Sequence, residues 1–185
     1  MTRLTTILLV AFTLFMATGC TMNAVQYQPD FAVVNDLKDA ETKVMAVGDI
    51  TSASKKVDKI SIRGSSMNSP FNGSYSDYLE NALKEQLSHA GLFDASSSVV
   101  ISGELQQNDL NAAGFSIGKA DLSAKFVVKR DGEEVYSGVK SVHHEWPSSF
   151  VGAVAIPNAV NNYPTAVQKL VVELLSDEEF LAAVK

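Results

Sequence analysis

The stretch Ile117-Gly-Lys-Ala-Asp-Leu-Ser-Ala-Lys-Phe-Val-Val-Lys-Arg-Asp-Gly-Glu-Glu-Val-Tyr136 decides the fold. Leu122, Ala124, Phe126 and Val128 recur at every second position. Residues two apart on a strand share a face, so this is a strand with one buried side. Asp131-Gly132 then interrupts the pattern with a pair that tolerates the positive φ a two-residue hairpin demands. Residues 133–146 therefore return as an antiparallel partner. Upstream, Val99, Ile101, Gly103 and Leu105 alternate with Val100, Ser102, Glu104 and Gln106. They form another strand of the same meander, joined to the quoted one near Asn111-Ala-Ala-Gly114.

Helices flank these strands. Tyr75, Tyr78, Leu79, Ala82, Leu83, Gln86, Leu87 and Ala90 fall at helical spacing. Ser74 is a suitable N-cap, with Asp77 three residues on, and Gly91 is the expected residue past the end. Residues 42–50 read as a first strand, with Met45, Val47 and Ile50 on the buried side. Residues 51–73, rich in Ser, Asn, Gly and Lys, predict a long loop with at most a short edge strand at 58–63. Residues 147–157 predict a loop bounded by prolines. A helix follows over 158–175, its buried stripe marked by Val160, Tyr163, Val167, Leu170, Val171 and Leu174. Pro164 fits only a first turn, which would place the regular start near Tyr163. Ser176 with Glu179 predicts a capped terminal turn. The expected fold is α+β: an antiparallel sheet of about four strands with two helices packed on one face, in the order β-α-β-β-β-α. One domain over residues 42–185 accommodates it.

The N-terminus carries an address. Arg3 precedes an uncharged run from Leu4 to Thr18, and Gly19 precedes Cys20. That is the layout of a secretory signal. The run is shorter than the roughly 20 apolar residues a bilayer span requires. Ala17-Thr18-Gly19-Cys20 resembles the lipobox of bacterial lipoproteins, with Ala17 where Leu is usual. This resemblance implies that residues 1–19 are a removable signal peptide and that Cys20 is lipidated. The mature anchor would then hold a diacylglycerol and a third, palmitate-type chain, enough for stable attachment. Residues 20–41, polar and without a clean period, read as the lipidated N-terminus and a tether, part of which could be ordered by packing of Phe31, Val33 and Val34 on the domain. Thr21 is not the Asp that, in many Gram-negative lipoproteins, retains the protein at the inner membrane. The expected location is therefore the inner leaflet of the outer membrane, facing the periplasm.

Composition excludes several functions. Cys20 is the sole cysteine, so neither an internal disulfide nor a cysteine-based zinc cluster can form. Without Arg3 the chain has 14 basic residues against 21 acidic. Nucleic-acid binding needs concentrated positive charge and is not expected. Gly114-Phe-Ser-Ile-Gly118 has the letters of a Gly-x-Ser-x-Gly motif, but it joins two strands of the meander and not a strand to a helix as a nucleophile elbow does, and no phosphate-binding loop is present. The serines of Gly64-Ser-Ser66 and Gly73-Ser74 read as loop and cap residues. His143 and Glu145 of His143-His144-Glu145 would share a strand face, but a third metal ligand has no evident source. His89 sits at a helix end, where a cation complements the dipole. Neither a metal nor any other cofactor is expected.

The run Phe150-Val-Gly-Ala-Val-Ala-Ile156 is uncharged. Burial is its favoured reading. The alternative is an exposed partner or ligand surface built on Phe150, Val151, Val154 and Ile156.

The lipobox, the first strand and the helix Tyr78-Leu-Glu-Asn-Ala-Leu-Lys-Glu-Gln-Leu87 with Gly91-Leu-Phe93 resemble the YajG-type bacterial lipoproteins. The strand Val99-Val-Ile-Ser-Gly-Glu-Leu105, the segment Lys119 to Val128 and a closing helix ending in Phe180 share that likeness, which spans residues 42–182. More distantly the layout is similar to the auxiliary lipoproteins of lipid-transport ABC systems and to the lipoprotein plug of the lipopolysaccharide translocon. The resemblance implies an envelope setting and offers no catalytic residue. The expectation is a non-catalytic accessory component with an envelope protein partner, reached through the 51–73 or 147–157 loop or the sheet. The alternative is a carrier of a lipid or small hydrophobic ligand, with Phe126, Phe150, Leu170 and Leu174 lining a pocket between sheet and helices.

Overall fold

The computed structural model describes residues 21–185. Its elements are β1 (Thr21–Asn23), α1 (Phe31–Asp39), β2 (Ala46–Ser52), β3 (Ile60–Ile62), β4 (Ser65–Asn68), α2 (Tyr75–Ala90) and β5 (Val99–Asn111). They continue with β6 (Ile117–Arg130), β7 (Glu133–Pro147), α3 (Gly152–Leu175) and α4 (Glu178–Ala183).

The meander is as read. β5, β6 and β7 pair antiparallel in one four-stranded sheet of order β2-β5-β6-β7. Asp131 and Gly132 turn the corner at φ 51° and 87°. Ala120, Leu122, Ala124, Phe126 and Val128 form the inner stripe of β6, each no more than 2% exposed. Gly118 of this strand lies under the indole of its cross-strand neighbour Trp146, where a Cβ would come within 2.5 Å of the ring.

The expectation of a purely antiparallel sheet needs correcting. β2 pairs with β5 in parallel. Parallel neighbours need a long crossover, usually helical, and the chain between β2 and β5 contains α2. The capped helix spans the expected residues, with Ser74 Oγ accepting from Asp77 N and Gly91 closing it at φ 71°. A second cap was not foreseen: Asp58 accepts from the N–H groups of Tyr75 and Ser76 at 2.6 and 3.0 Å.

Two expected irregular segments are structured. Residues 51–73 hold the β3–β4 hairpin, and β1 joins it in parallel to give a three-stranded sheet of order β1-β4-β3. Ile60, Ile62 and Met67 from this segment are buried in the core. β3 falls within the short strand expected at 58–63, while β4 and its pairings, only three or four residues long, give too short an alternation to separate from loop.

The tether is also ordered. Asp30 caps α1 by accepting from Ala32 N and Val33 N, and Val33, Val34 and Leu37 pack into the core. The buried Gln86 side chain of α2 fixes the approach. It accepts from Tyr27 Oη at 2.7 Å and Asp30 N at 2.8 Å, and donates to Asp30 O at 2.8 Å.

The 147–157 loop is shorter than expected, because α3 starts at Gly152 and carries both Pro157 and Pro164 inside it. A proline in a helix interior costs roughly 3 kcal/mol. Burial of Ala155, Ala159, Tyr163, Ala166, Val167, Leu170, Val171, Leu174 and Leu175 offsets that, at about 1.5–3 kcal/mol per large apolar side chain. At the other end of α3, Asp177 rather than Ser176 caps α4, accepting from Glu179 N and Phe180 N.

Tyr75, Tyr78 and Tyr163 meet edge-on or tilted where α2, α3 and the small sheet converge. Their hydroxyls donate to Met67 O, Val25 O and Asn108 Oδ1, as buried polar groups must. Burial pushes all three phenols well above their ordinary pKa.

Replacing Leu37 by Ala should lower the unfolding free energy by about 2–5 kcal/mol. Urea denaturation measures this. A true tether residue would leave the midpoint unchanged.

Candidate functional site

Two surfaces concentrate unusual features. The first lies at the end of the molecule where β5 turns into β6 and β7 runs into α3. Phe115, Ile117, Phe150, Val151 and Val154 are 78%, 53%, 67%, 57% and 47% exposed. The exposure of Phe150, Val151 and Val154 departs from the favoured reading of the 150–156 run, in which Ala155 is buried and Ile156 packs against the core. The rings of Phe115 and Phe150 stack in parallel, 5.2 Å apart.

These loops are held by one side chain. Arg63, at the tip of the β3–β4 hairpin with φ 51°, donates through Nε to Ala112 O at 2.7 Å. Nη1 donates to Phe150 O at 2.6 Å, and Nη2 to Ser149 O at 2.8 Å and Gly114 O at 3.4 Å. A guanidinium suits the task because its donors form a rigid fork. Ser148 N adds a bond to Ser116 O at 2.8 Å. Sequence reading missed Arg63 because nothing in the chain's order pairs position 63 with 112–114 and 149–150. It missed Phe115 although the lack of charge from Leu110 to Gly118 was visible.

The second surface is the outer face of the β5–β7 sheet. All the helices that contact β6 and β7 lie on the other face, so Lys119, Lys125, Lys129, Val139, His143 and Glu145 stay exposed. His143 sits opposite Asp121 in the register. Its Nδ1 lies 2.6 Å from Asp121 Oδ1 and its Nε2 3.1 Å from Glu145 Oε1. The two carboxylates, Asp121 first, raise its pKa above the ordinary 6.5. Asp121 is the third group that sequence reading could not locate, because it comes from the neighbouring strand. Both imidazole nitrogens are thereby engaged with carboxylates. No group of three or more metal-ligating side chains suited to an ion occurs among the described residues.

His144 points the other way, 9% exposed, against Trp146 and α3. It contacts Asn162 Oδ1 at 3.1 Å and Lys169 Nζ at 3.1 Å. Burial lowers its pKa, with the Asn162 contact opposing and Lys169 adding to the shift. The adjacent histidines are thus displaced in opposite directions.

The remaining candidates scatter. Cys20 lies outside the described residues. His89 Nδ1 sits 2.9 Å from the Glu85 carbonyl at the end of α2, with Phe31 edge-on to the ring. Ser74 is the helix cap, and Ser65 and Ser66 belong to β4. The expected pocket liners do not share a cavity: Phe126, Leu170 and Leu174 are fully buried, while Phe150 is largely exposed. No helix among the described residues is long and apolar enough to cross a membrane.

No protein-family model matches the sequence, and no curated protein matches it. The fold is similar to that of a Xanthomonas campestris protein of the DUF330 family, with TM-score 0.58 and 16% identity, covering 84% of this chain and 92% of that one. A Caulobacter crescentus protein described as a "putative lipoprotein" aligns with TM-score 0.48 and 13% identity, over 83% of this chain and 98% of that one.

Two measurements check this geometry. In an NMR titration, His143 should protonate with a midpoint above 6.5 and His144 below it. Asp121→Asn should lower the His143 midpoint and leave His144 nearly unmoved. Since the folded state raises the His143 pKa, the stability this group adds is complete below the unfolded pKa, about 6.5. It is lost as pH rises through the folded value. Separately, Arg63→Ala should cost about 1–2 kcal/mol. Amide exchange should then speed up in residues 112–118 and 149–152, with the inner stripe of β6 still protected.

Proposed function

We propose that the protein is a lipid-anchored accessory component of the bacterial outer membrane, periplasm-facing, which acts by binding an envelope protein and not by catalysis. Kinship with the YajG-type lipoproteins, and a more distant one with auxiliary lipoproteins of lipid-transport ABC systems, belongs to this reading. The lipobox at Cys20 and the Thr21 that follows it supply the anchor and the membrane.

The observation that carries the binding role is the uncovered face of the β5–β7 sheet. Three strands of 13, 14 and 15 residues present a broad surface whose charges alternate in sign. Glu104 faces Lys125, and Lys119 lies between Asn111 and Glu145 in the register. Val135 and Val139 add exposed apolar contacts at 40% and 56% exposure. Among the described residues β7 has a strand on one side only, and such an edge with a mixed-charge face suits pairing with another protein. The Asp121–His143–Glu145 cluster engages both imidazole nitrogens and leaves no nucleophile-base pair of the kind acyl transfer requires.

The test is a crosslinked pull-down of the full-length lipoprotein from detergent-solubilised membranes, with mass spectrometry of proteins and lipids. A stoichiometric protein partner is expected. Combining Lys125→Glu with Val139→Asp should reduce its recovery about tenfold or more, with thermal stability unchanged because both positions are exposed. Recovery unaffected by the double variant would remove the sheet face as the docking surface. A reproducible bound lipid beyond the anchor, with no protein partner, would replace this reading by the carrier.

A further inference from the structure

The Arg63-held patch and the entry point of the chain lie at the same end of the molecule. β1 runs parallel to β4, with Thr21 paired to Ser66, so its first residue sits beside the start of β4 and the Arg63-Gly64 turn. Cys20 immediately precedes Thr21 in the sequence. The loops that Arg63 grips are bonded to this same turn.

The patch has the chemistry of an interface with lipid. It is drawn from two segments, 110–118 and 146–168, that contain no Asp, Glu, Lys or Arg. Elsewhere the chain is acidic, with a formal charge of −6, and acidic side chains are repelled by anionic headgroups. Carbonyls that leave water as the apolar residues enter the bilayer boundary cost less when they are already bonded within the protein. Arg63 supplies such bonds to Ala112, Gly114, Ser149 and Phe150, the carbonyls behind the exposed rings. The same bonds fix the rings, so seating them costs little conformational entropy.

We infer that Phe115, Ile117, Phe150, Val151 and Val154 seat in the acyl–headgroup boundary of the membrane that holds the Cys20 lipid. The domain is thereby fixed in one orientation on the bilayer, not left to swing from its anchor. The inference rests on the lipid anchor proposed above. Two contacts at one end, the acyl chains and the patch, restrict tilt in a way that neither does alone. The apolar residues need reach only about 5–10 Å below the surface, the depth of an interfacial segment. Arg63 is a positioning residue in this arrangement.

The test uses the full-length protein, processed in cells, purified in detergent and reconstituted into vesicles of phosphatidylethanolamine with a minority of phosphatidylglycerol. Cys20 is the sole native cysteine, and lipidation consumes its thiol, so an environment-sensitive fluorophore can be placed at Phe115→Cys or Phe150→Cys. Controls carry it at Val139→Cys on the sheet face or Phe31→Cys on α1, both exposed. Nitroxide-bearing lipids should quench the labels at 115 and 150 by roughly twofold or more, as expected for interfacial depth, and leave the controls unchanged.

Labels at 115 and 150 that are quenched no more than the one at 139, in protein whose mass shows the lipidated Cys20, would overturn the inference and leave the anchor standing. Labels shielded from aqueous quencher but insensitive to the nitroxide lipids would assign the patch to a second copy or another protein, and would also overturn it. A mass showing free Cys20 would remove the anchor and this inference together. Phe115→Ser with Phe150→Ser is the functional complement. The variant should stay vesicle-bound through its lipid, while labels at other sites report a broadened range of depths.

Discussion

Five side chains on β6, from Ala120 to Val128, must be kept from water, and the way they are covered sets the rest of the architecture. The stripe alternates small and large residues, Ala120, Leu122, Ala124 and Phe126, all buried beneath the helical layer. Its apolar face is continuous with those of α2, α3 and β5 in one core. Because sheet side chains alternate between faces, burying this set leaves Lys119, Asp121, Lys125 and Lys129 outside. One-sided coverage of the meander is thus a direct consequence of its alternation, and the mixed-charge outer surface is the other half of the same pattern.

The elements that the stripe alone does not place are held by polar bonds to particular partners. Gln86, fully buried, ties α1 to α2 through three hydrogen bonds. Asp177 caps α4 and pairs with Lys140 of β7, while Arg130 and Lys43 engage the final carbonyls of the chain. Unpaired buried polar groups cost about 1–3 kcal/mol each. Such bonds therefore act as selectors: a docking of α1 or α4 that failed to make them would be penalised.

Arg63 does the same at the opposite end and joins three segments distant in sequence. Its grip explains how loops rich in Gly, Ala and Ser present two phenylalanines in a fixed stack. An exposed aromatic pair on a free loop would collapse onto the nearest apolar surface, and here the backbone behind the pair is not free to do so. The β3–β4 hairpin that carries Arg63 also pairs with β1, so the start of the described chain and the aromatic patch are linked through one hydrogen-bonded hairpin.

The sequence by itself determined the meander, its Asp131-Gly132 turn and the capped helix over 75–90, because each rests on local signals: period, turn chemistry and caps. Only the tertiary structure decided the parallel pairing of β2, the folding of 21–41 onto the core, the hairpin within 51–73 and the helix that runs through Pro157 and Pro164. Strand direction depends on which elements meet in space, and the proline cost is outweighed only by burial that the chain's order does not display. The candidate site divides in the same way. Phe150, Val151 and Val154 stood out as an uncharged run, but their exposure, the stacking with Phe115, the clasp by Arg63 and the pairing of Asp121 with His143 all join residues from distant or neighbouring strands. Such contacts exist only once the chain has folded.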